Sequence, residues 1–305
     1  MAITVEGKYA LITGGGGGIN LAFTRLLLSK GCSVIIGDLK LTPEAESLLK
    51  EYPHPSLKGK PSVVFHQTNV ASWAQLSSFW KAGLEAFPTI DIVVPGAGVY
   101  DPPSSDFWRP PRTETNPDSE SKDLADADPG TYAVLNINLT HPIRLSQLAI
   151  GYWTQNKRPG TLVHLSSVAG HLPRAGSPLY IASKHGLHGF VRSLGMLRDP
   201  LGIRIGAVAP GPALTGIWDG DENRRDKVLM DAKFISVEDI VSAMWELVVN
   251  EEMGNGTILE VVVGSTRVLP IFNMTPPAPE SLQIPGLFTF YGGVLADIKA
   301  NGLPV

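Results

Sequence analysis

Two residue patterns in this chain of 305 residues have types and spacings suited to joint chemistry. The first is TGGGGGIN, residues 13–20, which follows the apolar run KYALIT (8–13) and precedes the amphipathic run LAFTRLLLSKG ending at Gly31. Glycines without a Cβ let the backbone approach a pyrophosphate, and a helix start offers free N–H groups and the positive end of its dipole. The order strand, glycine turn, helix makes Gly14 and Gly18 parts of a dinucleotide cradle, a stronger signal than a glycine string alone. The second pattern is YIASK, which sets Tyr180 and Lys184 four residues apart on one helical face. When a secondary alcohol loses hydride to a nicotinamide, its hydroxyl proton must also leave. A phenol of free pKa about 10 is too weak a base for that at neutral pH. The Lys184 ammonium and the charge of the oxidised nicotinamide both favour phenolate.

Asp38 lies 20 residues beyond Gly18, directly after a second β-branched run. At that spacing an acid accepts hydrogen bonds from the adenosine ribose and repels a 2′-phosphate. The glycine loop holds no base, so NAD is favoured over NADP, with Lys40 the residue that could reverse this. His164, within a strand, reads as a satisfied core histidine. His171 follows SSVAG and could line a substrate pocket; no second histidine or acid stands at ligand spacing beside it, so no metal site is expected.

These residues need a scaffold, and the hydrophobic pattern supplies one. Seven short β-branched runs read as strands: 8–13, 33–37, 62–66, 90–95, 161–166, 203–208 and 257–263. Helical periodicity occupies 19–30, 72–86, 130–156, 179–198 and 236–250. Alternation of the two predicts an α/β fold, a single doubly wound Rossmann-type domain whose seven-stranded parallel sheet has helices on both faces. Two segments break the rhythm. Residues 101–130 carry six prolines, eight acids and three bases, too little apolar surface for a core, and are expected to form a surface insertion, mobile around PRTETNPDSES (111–121). The tail 265–305 carries six more prolines with Phe272, Phe288, Phe290 and Tyr291. It is expected to be a lid, an arm on a neighbouring subunit, or a wrap over a body formed by residues 1–264.

With TGGGGGIN, YIASK and the upstream serine together, the chain resembles the short-chain dehydrogenase/reductase family over residues 5–264, closest to its NAD-dependent 15-hydroxyprostaglandin dehydrogenase-like branch. Thr13, Gly14, Gly18 and Ile19 meet the TGxxxGI motif, with Asn20 in place of the third glycine and expected to tolerate the turn. The resemblance implies that Asn69 and Val70 hold the adenine, and it places Gly96 in a turn PGAG where the family has NNAG. Pro95 thus replaces an asparagine, whose task must be done otherwise. It implies a catalytic set of Asn138, Ser167, Tyr180 and Lys184, with Ser167 and Tyr180 at the family's spacing of thirteen. Ser167 would steady the substrate oxygen, Lys184 reach the nicotinamide ribose, and Asn138 hold a water leading to solvent. Pro210, Gly211, Ala213 and Thr215 in PGPALT would grip the carboxamide, with Trp218 beyond them as a pocket wall. A homodimer or homotetramer is implied as well.

Composition sets the outer bounds. Twenty-five bases against 29 acids give a net charge of −4, which offers no basic excess to a nucleic acid or an anionic membrane. One cysteine, Cys32, cannot form an internal disulfide and suits a reducing, cytoplasmic setting as a buried small hydrophobe. No run of 18 apolar residues is present to span a bilayer. The expected activity is interconversion of a secondary alcohol and a ketone on a lipophilic small molecule: a lipid, polyketide or steroid-like compound. The rivals are an NADPH-dependent biosynthetic ketoreductase and a non-catalytic dinucleotide-binding regulator.

Overall fold

Strand residues alternate between two covered faces, which is why their sequences read as unbroken apolar runs. In β1 (Tyr9–Thr13) Ala10 and Ile12 enter one core cluster and Leu11 the other; in β2 (Ser33–Asp38) Val34 and Ile36 are divided from Ile35 in the same way. The computed structural model describes residues 3–56, 59–100, 104–107, 109–128, 130–173, 176–218, 233–271 and 287–302. The remaining strands are β3 (Val63–Gln67), β4 (Ile92–Pro95), β5 (Gly160–Leu165), β6 (Ile203–Pro210), β7 (Asn255–Val262) and β8 (Ser265–Val268). They form one sheet in the order β3-β2-β1-β4-β5-β6-β7-β8. The order reverses between β1 and β4, so the carboxyl ends of these strands open the crevice where doubly wound sheets bind ligands.

Helices α1 (Gly18–Ser29), α2 (Pro43–Glu51), α3 (Trp73–Ala86), α4 (Ala133–Leu135), α5 (His141–Gln155), α6 (Pro178–Leu194), α7 (Arg198–Leu201), α8 (Val237–Val249) and α9 (Leu287–Asn301) complete the described elements. Phe23 and Leu27 of α1 share one core with Met244 and Leu247 of α8. Phe79 of α3, Trp153 of α5 and Leu187 of α6 fill the other. Thr42, Ser72 and Ser236 cap α2, α3 and α8 through their side chains, whereas α1 starts at Gly17 without such a cap.

Three features depart from the sequence reading. The sheet has an eighth strand: β8 pairs antiparallel with β7, and all four of its residues are exposed. An edge strand with nothing to bury carries no apolar signal. The long helix expected over 130–156 is interrupted by a π-turn at Asn136–Thr140. Pro142 cannot donate to the carbonyl four residues back and crowds it, so the ladder widens there. The insertion is also tied down: Ser105, Asp106, Ser119 and Asp123 are buried. Ser105 Oγ donates to Asp123 Oδ2 (2.8 Å), Asp123 Oδ1 accepts from Ala133 N (2.8 Å), and Ser105 Oγ accepts from Val134 N (3.1 Å), so two insertion side chains cap α4. In the tail, Leu295 of α9 packs against the second core cluster and Gly302 lies on Gln155. Phe272, Phe288, Phe290 and Tyr291 have side chains outside the described residues.

Candidate active site

The glycine loop is shaped by how closely its neighbours approach. Gly14 (φ 72°) and Gly18 (φ 58°) occupy the left-handed region, and a Cβ at Gly14 would stand 2.8 Å from Ala97 Cα. A Cβ at Gly16 would collide with the Lys40 carbonyl. Gly16 N donates to Asp38 Oδ2 (2.9 Å) and Leu39 N to Asp38 Oδ1 (2.7 Å), so the acid expected at a ribose is fixed beside the loop. Asn20 does not need an unusual φ, contrary to expectation: it lies in the first turn of α1, and among the described non-glycine residues only Lys157 has positive φ. Its buried Nδ2 donates to Gly96 O (2.9 Å), joining the loop to the turn after β4. Thr215 stands 3.8 Å from where a Gly18 Cβ would be, which brings the segment after β6 over the cradle.

That segment is anchored. Gly211 N donates to Val261 O (2.8 Å), and buried Ala213 bridges to Ile235, whose N–H reaches Pro212 O (2.9 Å). Pro210 O lies 3.4 Å from Ser167 Oγ, and Ser167 Oγ also accepts from Ala169 N (3.1 Å), capping the 3-10 turn Val168–Gly170. Asn69 Oδ1 accepts from Ala71 N (3.0 Å) at an exposed turn ahead of α3, with Val70 buried behind it. Ile19 packs on the first core cluster. The Trp218 side chain, and Trp108 in the insertion, lie outside the described residues.

On α6, Lys184 Nζ stands 5.5 Å from the centre of the Tyr180 ring and donates to Leu165 O (2.9 Å). Burial of the ammonium pulls Lys184 from the usual 10.5 down to about 8. Asn138, within the π-turn, clamps Val99 from both sides: Oδ1 accepts from Val99 N (2.9 Å) and Nδ2 donates to Val99 O (2.8 Å). A Cβ at Gly98 would sit 3.4 Å from Asn138 Oδ1 and 3.9 Å from Lys184 Nζ, so both atoms face one small gap that glycine leaves open.

Several site residues escaped the sequence. Tyr100 places its ring edge-on to Tyr180, with centroids 4.8 Å apart, and its hydroxyl reaches Ser177 Oγ (3.4 Å); the signal was its position directly after PGAGV. His171 has the companions its sequence neighbourhood lacks. Its Nε2 lies 2.7 Å from Glu260 Oε2, Arg267 Nε donates to Glu260 Oε1 (2.6 Å), and its ring stacks on His188. The Arg267 hydrogen bond, ahead of the His171 contact, holds Glu260 below the usual carboxylate range. An acid inside the apolar run TILEVVV was the signal for this cluster. Among the described residues no group of three or more His, Cys, Asp or Glu could hold a metal.

The uncapped start of α1, the glycines that admit no Cβ and the adjoining carboxylate suit an anionic dinucleotide with a free ribose. A phenol beside a desolvated ammonium suits proton exchange with a substrate oxygen. Together they describe an oxidoreductase of the nucleotide-dependent α/β class. Residues 8–226 match the family described as short chain dehydrogenase, and the chain belongs to that family. It is 29% identical over 246 residues to rat (Rattus norvegicus) 15-hydroxyprostaglandin dehydrogenase (NAD(+)), covering 79% of each chain. It is 30% identical over 207 residues to the 3-oxoacyl-(acyl-carrier-protein) reductase of Thermotoga maritima, covering 68% of this chain and 74% of that one. Its fold is similar to the crystal structure of 3-ketoacyl-(acyl-carrier-protein) reductase from Brucella melitensis complexed with NADH, with TM-score 0.65 and 21% identity, covering 86% of this chain and 99% of that one. No helix among the described residues is long and apolar enough to cross a membrane.

Proposed function

We propose that this oxidoreductase uses NAD to interconvert a secondary alcohol and a ketone on a lipophilic small molecule. The observation that carries the reading is Lys184, an ammonium buried 5.5 Å from the Tyr180 ring. When bound, the nicotinamide takes up or gives back a hydride. Tyr180 Oη takes the alcohol's proton during oxidation and returns one during reduction, Lys184 favours the phenolate, and Ser167 Oγ hydrogen-bonds the substrate oxygen. Asn138 holds the Val99 turn, and the gap beside Gly98 is where a water would join Asn138 to Lys184. Gly14, Gly18, Ile19 and Gly96 would hold the pyrophosphate and ribose, Asn69 and Val70 the adenine, and Pro210, Gly211, Ala213 and Thr215 the carboxamide. His171 and Trp218 border the substrate, and the working unit is a homodimer or homotetramer.

Cofactor choice rests on Asp38, whose carboxylate would meet a 2′-phosphate with like charge, and on Gly16, whose crowding by the Lys40 carbonyl leaves no room for a basic side chain at that position. The NAD(+) in the name of the 15-hydroxyprostaglandin dehydrogenase supports the same choice. The Thermotoga maritima relative named as a 3-oxoacyl-(acyl-carrier-protein) reductase supports a second reading, NADPH-dependent reduction of a ketone within a biosynthetic pathway. Binding of NADH and NADPH, followed by nicotinamide fluorescence, separates the two: at least about tenfold tighter NADH, about 1.4 kcal/mol, is expected. A screen of hydroxylated lipids, polyketides and steroids with NAD, read by absorbance of reduced nicotinamide, identifies the substrate class. On any alcohol found, Tyr180→Phe abolishes turnover and leaves NADH affinity near normal; undiminished turnover would remove Tyr180 from the mechanism.

A further inference from the structure

We propose that His141 is a positioning residue for the dinucleotide site, holding the turn after β4 by fixing the orientation of the Thr13 hydroxyl. This rests on the cofactor reading above but adds a residue that reading does not use. Thr13 ends β1 in register with Pro95, which has no N–H to give to the sheet. Beyond the proline, two N–H groups turn back to one atom: Gly96 N donates to Thr13 Oγ1 at 3.1 Å and Ala97 N at 3.4 Å. A hydroxyl accepts two such bonds only if its own proton points elsewhere.

His141 fixes that direction. Its Nδ1 lies 3.0 Å from Ile137 O, an atom that can only accept, so Nδ1 carries the proton of the neutral ring. Nε2 is then a bare acceptor 2.9 Å from Thr13 Oγ1, a shorter contact than the 3.4 Å to Val94 O. The Thr13 proton goes to His141, and both hydroxyl lone pairs face Gly96 and Ala97. The ring stays neutral because burial, above all, lowers His141 from 6.5 to about 4. The π-turn puts Asn138 and His141 over the two ends of one turn: Asn138 clamps Val99 directly, and His141 clamps Gly96 and Ala97 through Thr13. Asn20 Nδ2 fixes the Gly96 carbonyl from the cradle side. Gly96 is thus held on both its backbone groups, directly after Pro95, which stands where the resemblance places an asparagine.

The test compares His141→Leu, which fills the volume without an acceptor, with His141→Gln, which keeps one, and with Thr13→Val alone and combined with His141→Leu. Two readouts apply: amide hydrogen exchange of Gly96 and Ala97 in cofactor-free protein, and the dissociation constant for NADH. The expected result for His141→Leu is at least tenfold faster exchange at Gly96 and Ala97 and about tenfold weaker NADH binding. His141→Gln should recover most of both, and the double variant should be no worse than Thr13→Val. Unchanged exchange at the two amides in His141→Leu, or losses that add fully in the double variant, would overturn the proposal. Should His141→Leu not fold, His141→Gln and the near-isosteric Thr13→Val give the same comparison: loss of Gly96 protection in Thr13→Val with retention in His141→Gln supports the relay, and the reverse overturns it. If the wild-type protein binds neither NADH nor NADPH, the cofactor reading fails while the exchange data still decide the role of His141.

Discussion

Lys184 shows how a residue chosen for chemistry works against the fold. Its lowering from 10.5 to about 8 corresponds to roughly 3 kcal/mol spent in keeping a buried ammonium charged at neutral pH. That figure is already net of the hydrogen bond to Leu165 O; against it stands about 1 kcal/mol for leaving that carbonyl without its donor. Lys184→Met removes the first and incurs the second, so the variant is expected to gain about 2 kcal/mol, a rise in Tm of several degrees for a chain of this size, and to lose turnover by a factor of about 10² or more. Calorimetry beside initial rates checks both; a fall in Tm would mean that burial is not what depresses this lysine. The pair Tyr180 and Lys184 was legible in the sequence because helical geometry makes residues four apart neighbours. Thr13 and His141, 128 residues apart, and His171 and Glu260, 89 apart, were not, since only the completed sheet brings them together. Asn20 was legible in position and misjudged in function, as its side chain rather than its φ decides its use.

At the level of elements, periodicity disclosed what has an apolar face to bury and missed what does not. All seven expected strands form, because each sends alternate side chains into two cores. β8 stayed hidden because its four residues bury nothing and it is held by backbone pairing and the cross-strand pair of Glu260 and Arg267. The anchoring of the insertion stayed hidden for a related reason: it is polar, through buried Ser105 and Asp123, and composition does not distinguish a satisfied buried aspartate from a solvated one. That anchoring makes a sharp expectation. Asp123→Ala leaves Ala133 N without its acceptor and the Ser105 hydroxyl without its own at the start of the helical run that carries Asn138. A loss of about 2 kcal/mol is expected, within the range for a removed cap plus a stranded buried donor. Asp123→Asn, which retains an acceptor for Ala133 N, should lose less. Urea unfolding of the two variants at neutral pH tests this, and an Asp123→Ala protein as stable as the parent would show that the insertion does not support α4.

The molecule as a whole buries more histidine than its cofactor chemistry requires, and this governs its response to acid. Burial, first among the causes for each, lowers His141 to about 4 and His164 and His188 to about 3 from the ordinary 6.5. All three are neutral in the folded protein at pH 5, whereas in the unfolded chain they are protonated below about 6.5. Between 6.5 and 4 the unfolded state therefore binds up to three more protons, and stability falls as pH falls. Each group contributes a limiting slope of about 1.4 kcal/mol per pH unit, about 4 for the three together, so two units of acidification remove an amount comparable with the entire stability of an ordinary domain. The protein is thus expected to unfold between about pH 4 and 5, before most carboxylates have titrated. His188 offers the cleanest test, because neither of its buried ring nitrogens has a hydrogen-bond partner and its ring packs against Gly170, away from Thr13. His188→Leu should lower the slope of unfolding free energy against pH by about a third over pH 6 to 4.5 and move the acid midpoint downward. Urea titrations at half-unit steps measure it; a slope equal to the parent's would mean that His188 takes up its proton in the folded state and that the acid sensitivity arises elsewhere.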